Sequence, residues 1–237
     1  MTYTKFDDKN KELLLKSATA EQIQRHTDQV KQGLATCGLP PCQNCGLESG
    51  LFKPHENRDR KFYVVIEQIV VTFMGLLLRW KCPGCKKTRT DYPGFALPYK
   101  RYTLPTIQAF SSAYVKDPII SYRGVIDICP LEYKKTPDSE ASSAPMMEFS
   151  TIHRWVTTLG GYFHTIRTAT DLILQASPAT TLCRDMAGLT VPEKKYRSPL
   201  RKKLLLNCFQ LLFLEPIYQS VFQVSIFPKL ATNNNYT

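Results

Sequence analysis

Four cysteines in two pairs carry the clearest chemistry in this chain: Cys42-Gln43-Asn44-Cys45-Gly46 and Cys82-Pro83-Gly84-Cys85-Lys86. Two residues between thiolates let each pair bend around one ion in a tight knuckle whose backbone amides face the sulfurs. Gly46 and Gly84 relieve the turns sterically. Two knuckles complete a tetrahedron, so one Zn2+ is expected on Cys42, Cys45, Cys82 and Cys85. Four thiolates leave no open position for water or substrate, and the ion is therefore expected to be structural, not catalytic. The competing reading, four unligated core cysteines, fits poorly with Asn44, Pro83 and Gly84, which favour turns over cores. Cys37 lacks knuckle spacing and reads as a spare thiol, and His55 reads as a loop histidine.

For the two knuckles to meet, the 36 residues between them must double back. Lys61–Ile66 and Leu76–Lys81 read as strands, and Thr88–Thr90 as a short third. The gap exceeds the ~15–20 residues of the compact pattern, so a further element is expected around Ile69–Phe73. Phe62–Trp80 is about the ~20 residues needed to cross a bilayer. Glu67 and Gln68 inside it, its β-branched content and the CxxC that follows argue against a span. A second apolar region, Leu204–Phe227, is interrupted by Glu215-Pro216 and reads as a buried helix followed by a shorter one.

Charge around the cysteines is one-sided. The chain of 237 residues has 31 Lys and Arg against 20 Asp and Glu, a net +11, which points to a polyanionic partner and first to nucleic acid. Eleven basic residues lie between Lys53 and Arg101, against Glu56, Asp59, Glu67 and Asp91. Of these, Arg79, Lys81, Lys86, Lys87, Arg89, Lys100 and Arg101 are the expected DNA contacts, with Tyr99 and Tyr102 interleaved among them. A second cluster, Lys194 to Lys203, holds six bases and no acid, and reads either as another phosphate contact or as a solvated loop and helix start. With 43% apolar and 22% charged residues, wholesale disorder and collagen-like chains are excluded. The opening MTYTKFDDKNKELLLKS lacks the apolar run of a secretory signal, so a cytoplasmic location, reduced cysteines and no membrane partner are expected.

The fold class expected is α+β: an N-terminal zinc ribbon of small antiparallel β structure followed by a mostly α-helical, helix-turn-helix-like region. Four segments are expected: an arm and helix over 1–36, the ribbon over 37–102, the helical domain over 103–176, and a helical extension with a mobile tail over 177–237. The first helix should dock loosely, with Thr19 and Gln22 at capping-box spacing and Ile23, Val30 and Leu34 on one face. Thr103–Val115 reads as a helix, with Ile107, Phe110 and Tyr114 on one face. A short helix from Ser121 offers Val125 and Ile128. A third is capped by Ser150, buries Ile152, Trp155, Val156 and Leu159, and ends at Gly160-Gly161. That leaves Thr151, His153, Arg154, Thr157 and Thr158 as candidate readers of base edges and phosphates. The segment Lys134–Pro145 and the Asn-rich end read as mobile. Tyr162–Gln175 and Leu204–Leu214 either pack on these helices or form a contact between copies.

In this order, the CxxC, the basic hairpin ending in Arg79-Trp80-Lys81-Cys82, the linker with Tyr99-Lys100-Arg101-Tyr102 and the helix Ser150-Thr151-Ile152-His153-Arg154-Trp155 resemble the N-terminal DNA-binding half of bacterial insertion-sequence transposases and the short zinc-ribbon proteins carried by such elements. The resemblance covers roughly 42–159 and implies a DNA-binding ribbon and helix-turn-helix, with a transposase or a second copy as further partner. It also implies a following nuclease domain with three carboxylates. Here only Asp171, Asp185, Glu193 and Glu215 follow Leu159, with no alternating strands to hold them. No GxGxxG, P-loop or GxSxG is present, Cys129, Cys183 and Cys208 read as core residues, and His164 as a helix-surface histidine. A non-enzymatic, zinc-binding DNA-binding protein of a mobile element is thus expected. The alternative is a zinc-stabilised protein adaptor whose basic face meets an acidic protein, and an RNA-binding ribbon stands third.

Overall fold

The computed structural model describes residues 18–134 and 147–227. The arm before Ala18, residues 135–145 of the segment expected to be mobile, and the Asn-rich end lie outside these. The described chain is mixed α and β and divides into two compact units, one of residues 18–106 and 132–134, the other of residues 107–131 and 147–227.

The first unit is built on one long hairpin. Strand β1 (Lys53–Ile66) pairs antiparallel with β2 (Ile69–Lys81) from Lys53 opposite Lys81 to Ile66 opposite Ile69. Only Glu67 and Gln68 lie between them, both with positive φ (48° and 69°). That is the backbone of a mirror-type two-residue turn, whose twist matches the strands. The expected separate element at Ile69–Phe73 is therefore part of β2. Phe62–Trp80, the membrane-length run, is the end of β1, the turn and nearly all of β2, with Glu67 and Gln68 exposed. A register shift between Pro54 and Glu56 makes His55 the extra residue of a bulge, so His55 lies in a strand and not in a loop.

The second edge of β2 is covered in three pieces. Strand β3 (Thr88–Thr90) pairs antiparallel with Arg79–Lys81, and β4 (Glu132–Lys134) pairs parallel with Ile69–Val71. Between them helix α1 (Ala18–Lys31) supplies side chains in place of a strand. The Leu76 N–H donates to Thr27 Oγ1 at 3.3 Å, and His26 bonds the backbone of the same residue. Gly75 allows this approach, because a Cβ there would lie 3.0 Å from both Ile23 and Phe62. Ile23 and Val30 are buried, each worth ~1.5–3 kcal/mol over exposure. The helix is thus firmly docked, whereas Leu34, past its end, is 66% exposed. Thr19 is buried within the helix instead of capping it. The hairpin is covered on both faces: Leu78 and Trp80 join Val30, Leu39, Phe52, Cys42 and Cys82, while Phe62, Val64 and Leu77 join Ile23, Phe95 and Ala96.

The second unit is helical. It contains α2 (Leu104–Lys116) from Ile107 onward, α3 (Tyr122–Ile128), α4 (Phe149–Gly160), α5 (Phe163–Ala176), α6 (Leu182–Ala187) and α7 (Pro199–Phe222). Ser121 caps α3 by accepting from the Gly124 N–H at 3.0 Å, and Ser198 caps α7 by accepting from Arg201 N–H at 3.2 Å. Helix α4 starts one residue before Ser150, so Ser150 lies inside it and Glu148 holds the cap position without a side-chain bond. The stripe Ile152, Trp155, Val156 and Leu159 is buried as expected, with Ile107, Phe110, Tyr114 and Val125; Ile128 is 42% exposed. Where α4 meets α7, a Cβ on Gly160 would lie 2.1 Å from the Leu204 carbonyl oxygen, so only glycine permits the crossing. Asn207 Nδ2 donates to the Gly160 carbonyl at 3.0 Å.

The expected break at Glu215-Pro216 does not occur. Helix α7 continues through an exposed Pro216 to Phe222. Glu215 is buried and accepts hydrogen bonds from Gln219 Nε2, Ser225 Oγ and the Ile226 N–H, which fasten the following turn back onto the helix. By length and composition α7 is the one helix among the described residues able to cross a membrane; here Leu205, Cys208, Leu211, Leu212 and Leu214 are buried in the helical core. Cys129 and Cys208 are core residues, but Cys183 is exposed, and His164 lies on a helix surface.

Candidate metal centre

The open end of the hairpin positions the cysteines. Because Lys53 pairs with Lys81, the chain entering β1 and the chain leaving β2 share one end of the sheet, and Cys82 follows β2 directly. The knuckles are built alike. In the first, Gly46 N–H donates to the Cys42 carbonyl at 2.7 Å and Cys42 N–H to the Leu47 carbonyl at 2.8 Å. In the second, Lys86 N–H donates to the Cys82 carbonyl and Cys82 N–H to the Lys87 carbonyl, both at 2.9 Å. The residue after each pair's second cysteine has positive φ, 71° at Gly46 and 62° at Lys86. Glycine accepts this freely and lysine at a cost. Gly84 lies under the sulfurs, where a Cβ would sit 3.3 Å from Cys45 Sγ.

All four sulfurs lie within 4.8 Å of one another, with Cys42 and Cys85 3.5 Å apart and Cys45 and Cys82 3.5 Å apart. An ion with bonds of ~2.3 Å to four tetrahedral sulfurs sets them roughly 3.8 Å apart, so the donor set fits a metal ion. Four thiolates in tetrahedral array suit zinc or an iron centre and not a hard cation. The amides of Asn44 and Cys45 face the Cys42 sulfur and hold its thiol down at about 6. The Leu47 amide favours the Cys45 thiolate in the same way, but hydrogen bonding with Cys82, loss of hydration and the nearness of Cys42 and Cys85 outweigh it and push that thiol up to about 11. Negative charges this close oppose one another, and a bound cation relieves that opposition. Cys37 is outside this cluster: it is half-buried against the core around Trp80, burial raises its thiol, and the next residue's N–H donates to Asp91 Oδ2 at 2.7 Å.

The basic residues of the first unit divide into two kinds. Lys86, Lys87 and Arg101 are exposed, as are Lys53, Arg58 and Lys61, whereas Lys81, Arg89 and Lys100 are half-buried. Arg79 is committed within the fold, pairing with Glu56 at 3.0 Å and donating to Thr88 Oγ1 at 2.5 Å. Arg79 foremost, with Arg58, holds the Glu56 carboxyl below its usual range. Tyr102 is buried, with its ring edge-on to Tyr63, and Tyr99 is exposed.

On α4 in the second unit, His153 and Arg154 are exposed and Thr151, Thr157 and Thr158 half-buried. Thr157 and Thr158 donate to the carbonyls of His153 and Arg154, both at 2.8 Å. Arg201 donates to Thr157 Oγ1 at 2.8 Å and to Tyr122 Oη. Tyr122 stacks on Tyr114 at 3.7 Å and meets the His153 ring edge-on at 5.5 Å. Burial, then Arg201 and Arg154, lowers the His153 pKa. Lys195 donates to the carbonyls of Tyr114 and Asp117 at the end of α2, and burial brings its pKa down to about 8. Sequence reading missed this network because its partners lie 44 to 81 residues apart and no local pattern marks them.

No known protein family matches this chain, and no curated protein or solved structure matches it either.

Proposed function

We propose that the chain is a zinc-stabilised DNA-binding protein whose first unit is a zinc ribbon, as expected of a protein carried by a mobile element. Zinc is the reading of the metal because it binds four thiolates as a closed structural centre that needs no redox chemistry. The observation that carries the function is the exposure of Lys86 and Lys87 on the second knuckle, next to the sulfurs and in the same unit as exposed Lys53, Arg58, Lys61 and Arg101. A metal that fixes the knuckle fixes the direction of these cations, and fixed cations neutralise phosphates at little cost in side-chain ordering. Helices α2, α3 and α4 form the helix-turn-helix of this proposal. Of the five candidate readers on α4, Arg154 and His153 are the exposed ones, and Arg154 can address guanine in bidentate fashion.

The test is equilibrium binding of the metal-loaded chain to duplex DNA across a salt series. With four to six phosphate contacts, log K against log salt has a slope of about −4 to −5, and reversing Lys86 and Lys87 to Glu flattens it. Absence of DNA binding, or affinity independent of salt, overturns the proposal in favour of an acidic protein partner.

A further inference from the structure

The connector after β3 places one aromatic ring in solvent by an unusual route. Leu97, Pro98, Tyr99 and Lys100 form a tight turn in which the Lys100 N–H donates to the Leu97 carbonyl at 3.2 Å. Pro98 stands at the second position and Tyr99 at the third has φ of 60°. These are features of a type II turn, whose third position favours glycine or asparagine because a Cβ is strained there. Here that position holds a tyrosine, and the residue is 85% exposed. The ring contributes almost nothing to the core, so packing does not account for a bulky residue on a left-handed backbone.

The turn itself is held firmly. Arg60 Nη2 donates to the Leu97 carbonyl at 3.2 Å and to the Lys100 carbonyl at 2.5 Å. Leu97 beneath it is fully buried. On the far side, the Tyr63 N–H donates to the Arg101 carbonyl at 2.8 Å and the Thr103 N–H to the Tyr63 carbonyl at 3.2 Å, so the connector is laced to β1. Arg101, two residues from Tyr99, is exposed, with its guanidinium directed to Tyr63 Oη at 3.3 Å. A rigid turn thus presents a free aromatic face beside cations.

We infer that Tyr99 is a base-stacking residue that engages an unpaired base at a single-stranded end or junction of a nucleic acid whose backbone is neutralised by neighbouring cations. This rests on the nucleic-acid reading above. Inside a continuous duplex both faces of each base are covered by its neighbours, so a single ring on a turn tip finds a free π-face only where stacking is interrupted. Stacking of this kind is indifferent to sequence and is lost when the ring is removed.

The test compares the metal-loaded full chain and its Tyr99→Phe, Tyr99→Leu and Tyr99→Gly variants on a blunt duplex and on the same duplex with a short oligo-dT overhang. Tyr99→Leu is expected to weaken overhang binding about 5- to 150-fold while leaving blunt-duplex binding unchanged. Tyr99→Phe keeps wild-type affinity. The thermal midpoint of Tyr99→Leu stays at the wild-type value, and that of Tyr99→Gly, which relieves the backbone, is equal or higher. Unchanged overhang affinity in Tyr99→Leu, equal loss on both probes, or a falling thermal midpoint overturns the inference. If Lys86 and Lys87 reversal abolishes the overhang binding that Tyr99→Leu leaves intact, this inference alone falls; if the wild-type chain binds neither probe, the nucleic-acid reading falls with it.

Discussion

Each unit buries one of the chain's two tryptophans, and the two surroundings differ in kind. Trp80, on β2, packs with Val30, Leu39, Phe52 and Leu78 and with two of the clustered cysteines, Cys42 and Cys82. Trp155, on α4, is buried with the apolar stripe of that helix and meets the ring of Phe110 edge-on at 6.2 Å. One core is completed by four clustered sulfur atoms, the donor set of the proposed metal site. The other is completed by aliphatic and aromatic groups on helices, with polar networks such as Arg201 and Glu215 fastening its ends. With the proposed ion in place, the same degree of tryptophan burial rests on two different sources of free energy.

Metal removal should break the comparison most widely. Structural zinc in small domains is worth ~10–16 kcal/mol in apparent binding free energy, as large as the ~5–15 kcal/mol of a typical domain's total stability. Chelation, or Cys82→Ser, should therefore unfold the knuckles and expose Trp80. In a Trp155→Phe background the remaining emission should shift to the red, while in a Trp80→Phe background it should hold. Metal analysis that finds no ion in chain purified without chelator, or a shift of both tryptophans together, would count against this assignment of the two cores.

A smaller and opposite effect is expected from Trp155→Ala. Truncating a buried tryptophan costs ~3–5 kcal/mol, read as a lower denaturant midpoint for the second unit with Trp80 emission unchanged. Gly160→Ala should act on the same unit by crowding instead of by cavity. Its methyl would fall 2.1 Å from the Leu204 carbonyl oxygen, so α4 and α7 must separate at a cost of about 1–3 kcal/mol or more. A Gly160→Ala chain as stable as wild type would show that the crossing is looser than the structure has it.

The contrast also marks what was legible in the sequence. The cysteine pairs could be read because their spacing is local and their chemistry has few alternatives. The stripe of Ile152, Trp155, Val156 and Leu159 could be read because helical periodicity is local too. The full length of β1 could not: Lys53–Arg60 is polar, and it is a strand because it pairs with β2, not because of its own pattern. Glu67 and Gln68 adopt a turn that sequence rules reserve for Asn and Gly, and the strands on either side impose it. The covering of Leu76 by His26 and Thr27 joins residues about fifty positions apart. Helix α7 passes Pro216 because Glu215 is anchored from beyond the helix, by Ser225 and Ile226. In each case a tertiary contact overrides the local signal.

The smallest effect belongs to His26, which sits where α1 replaces a strand. Its ring meets Phe95 edge-on at 6.0 Å, its Nε2 is buried without a hydrogen-bond partner, and one bond runs to the Leu76 backbone. Burial is the larger influence and lowers its pKa below the ordinary histidine value, with the Leu76 bond opposing. The folded state therefore holds His26 neutral at pH values where the unfolded chain is protonated, so the unfolded state binds more protons and stability rises with pH in that window. Stability from this group is complete above the unfolded pKa of ~6.5 and is lost as pH falls below it, with a slope of at most about 1.4 kcal/mol per pH unit for one proton. His26→Phe should remove that slope, leaving any acid sensitivity of the metal centre in place. Denaturant midpoints read on Trp80, in the metal-loaded chain between about pH 7 and pH 5, measure the difference. If wild type and His26→Phe lose stability in parallel over this range, the histidine is no proton-linked part of the α1 docking.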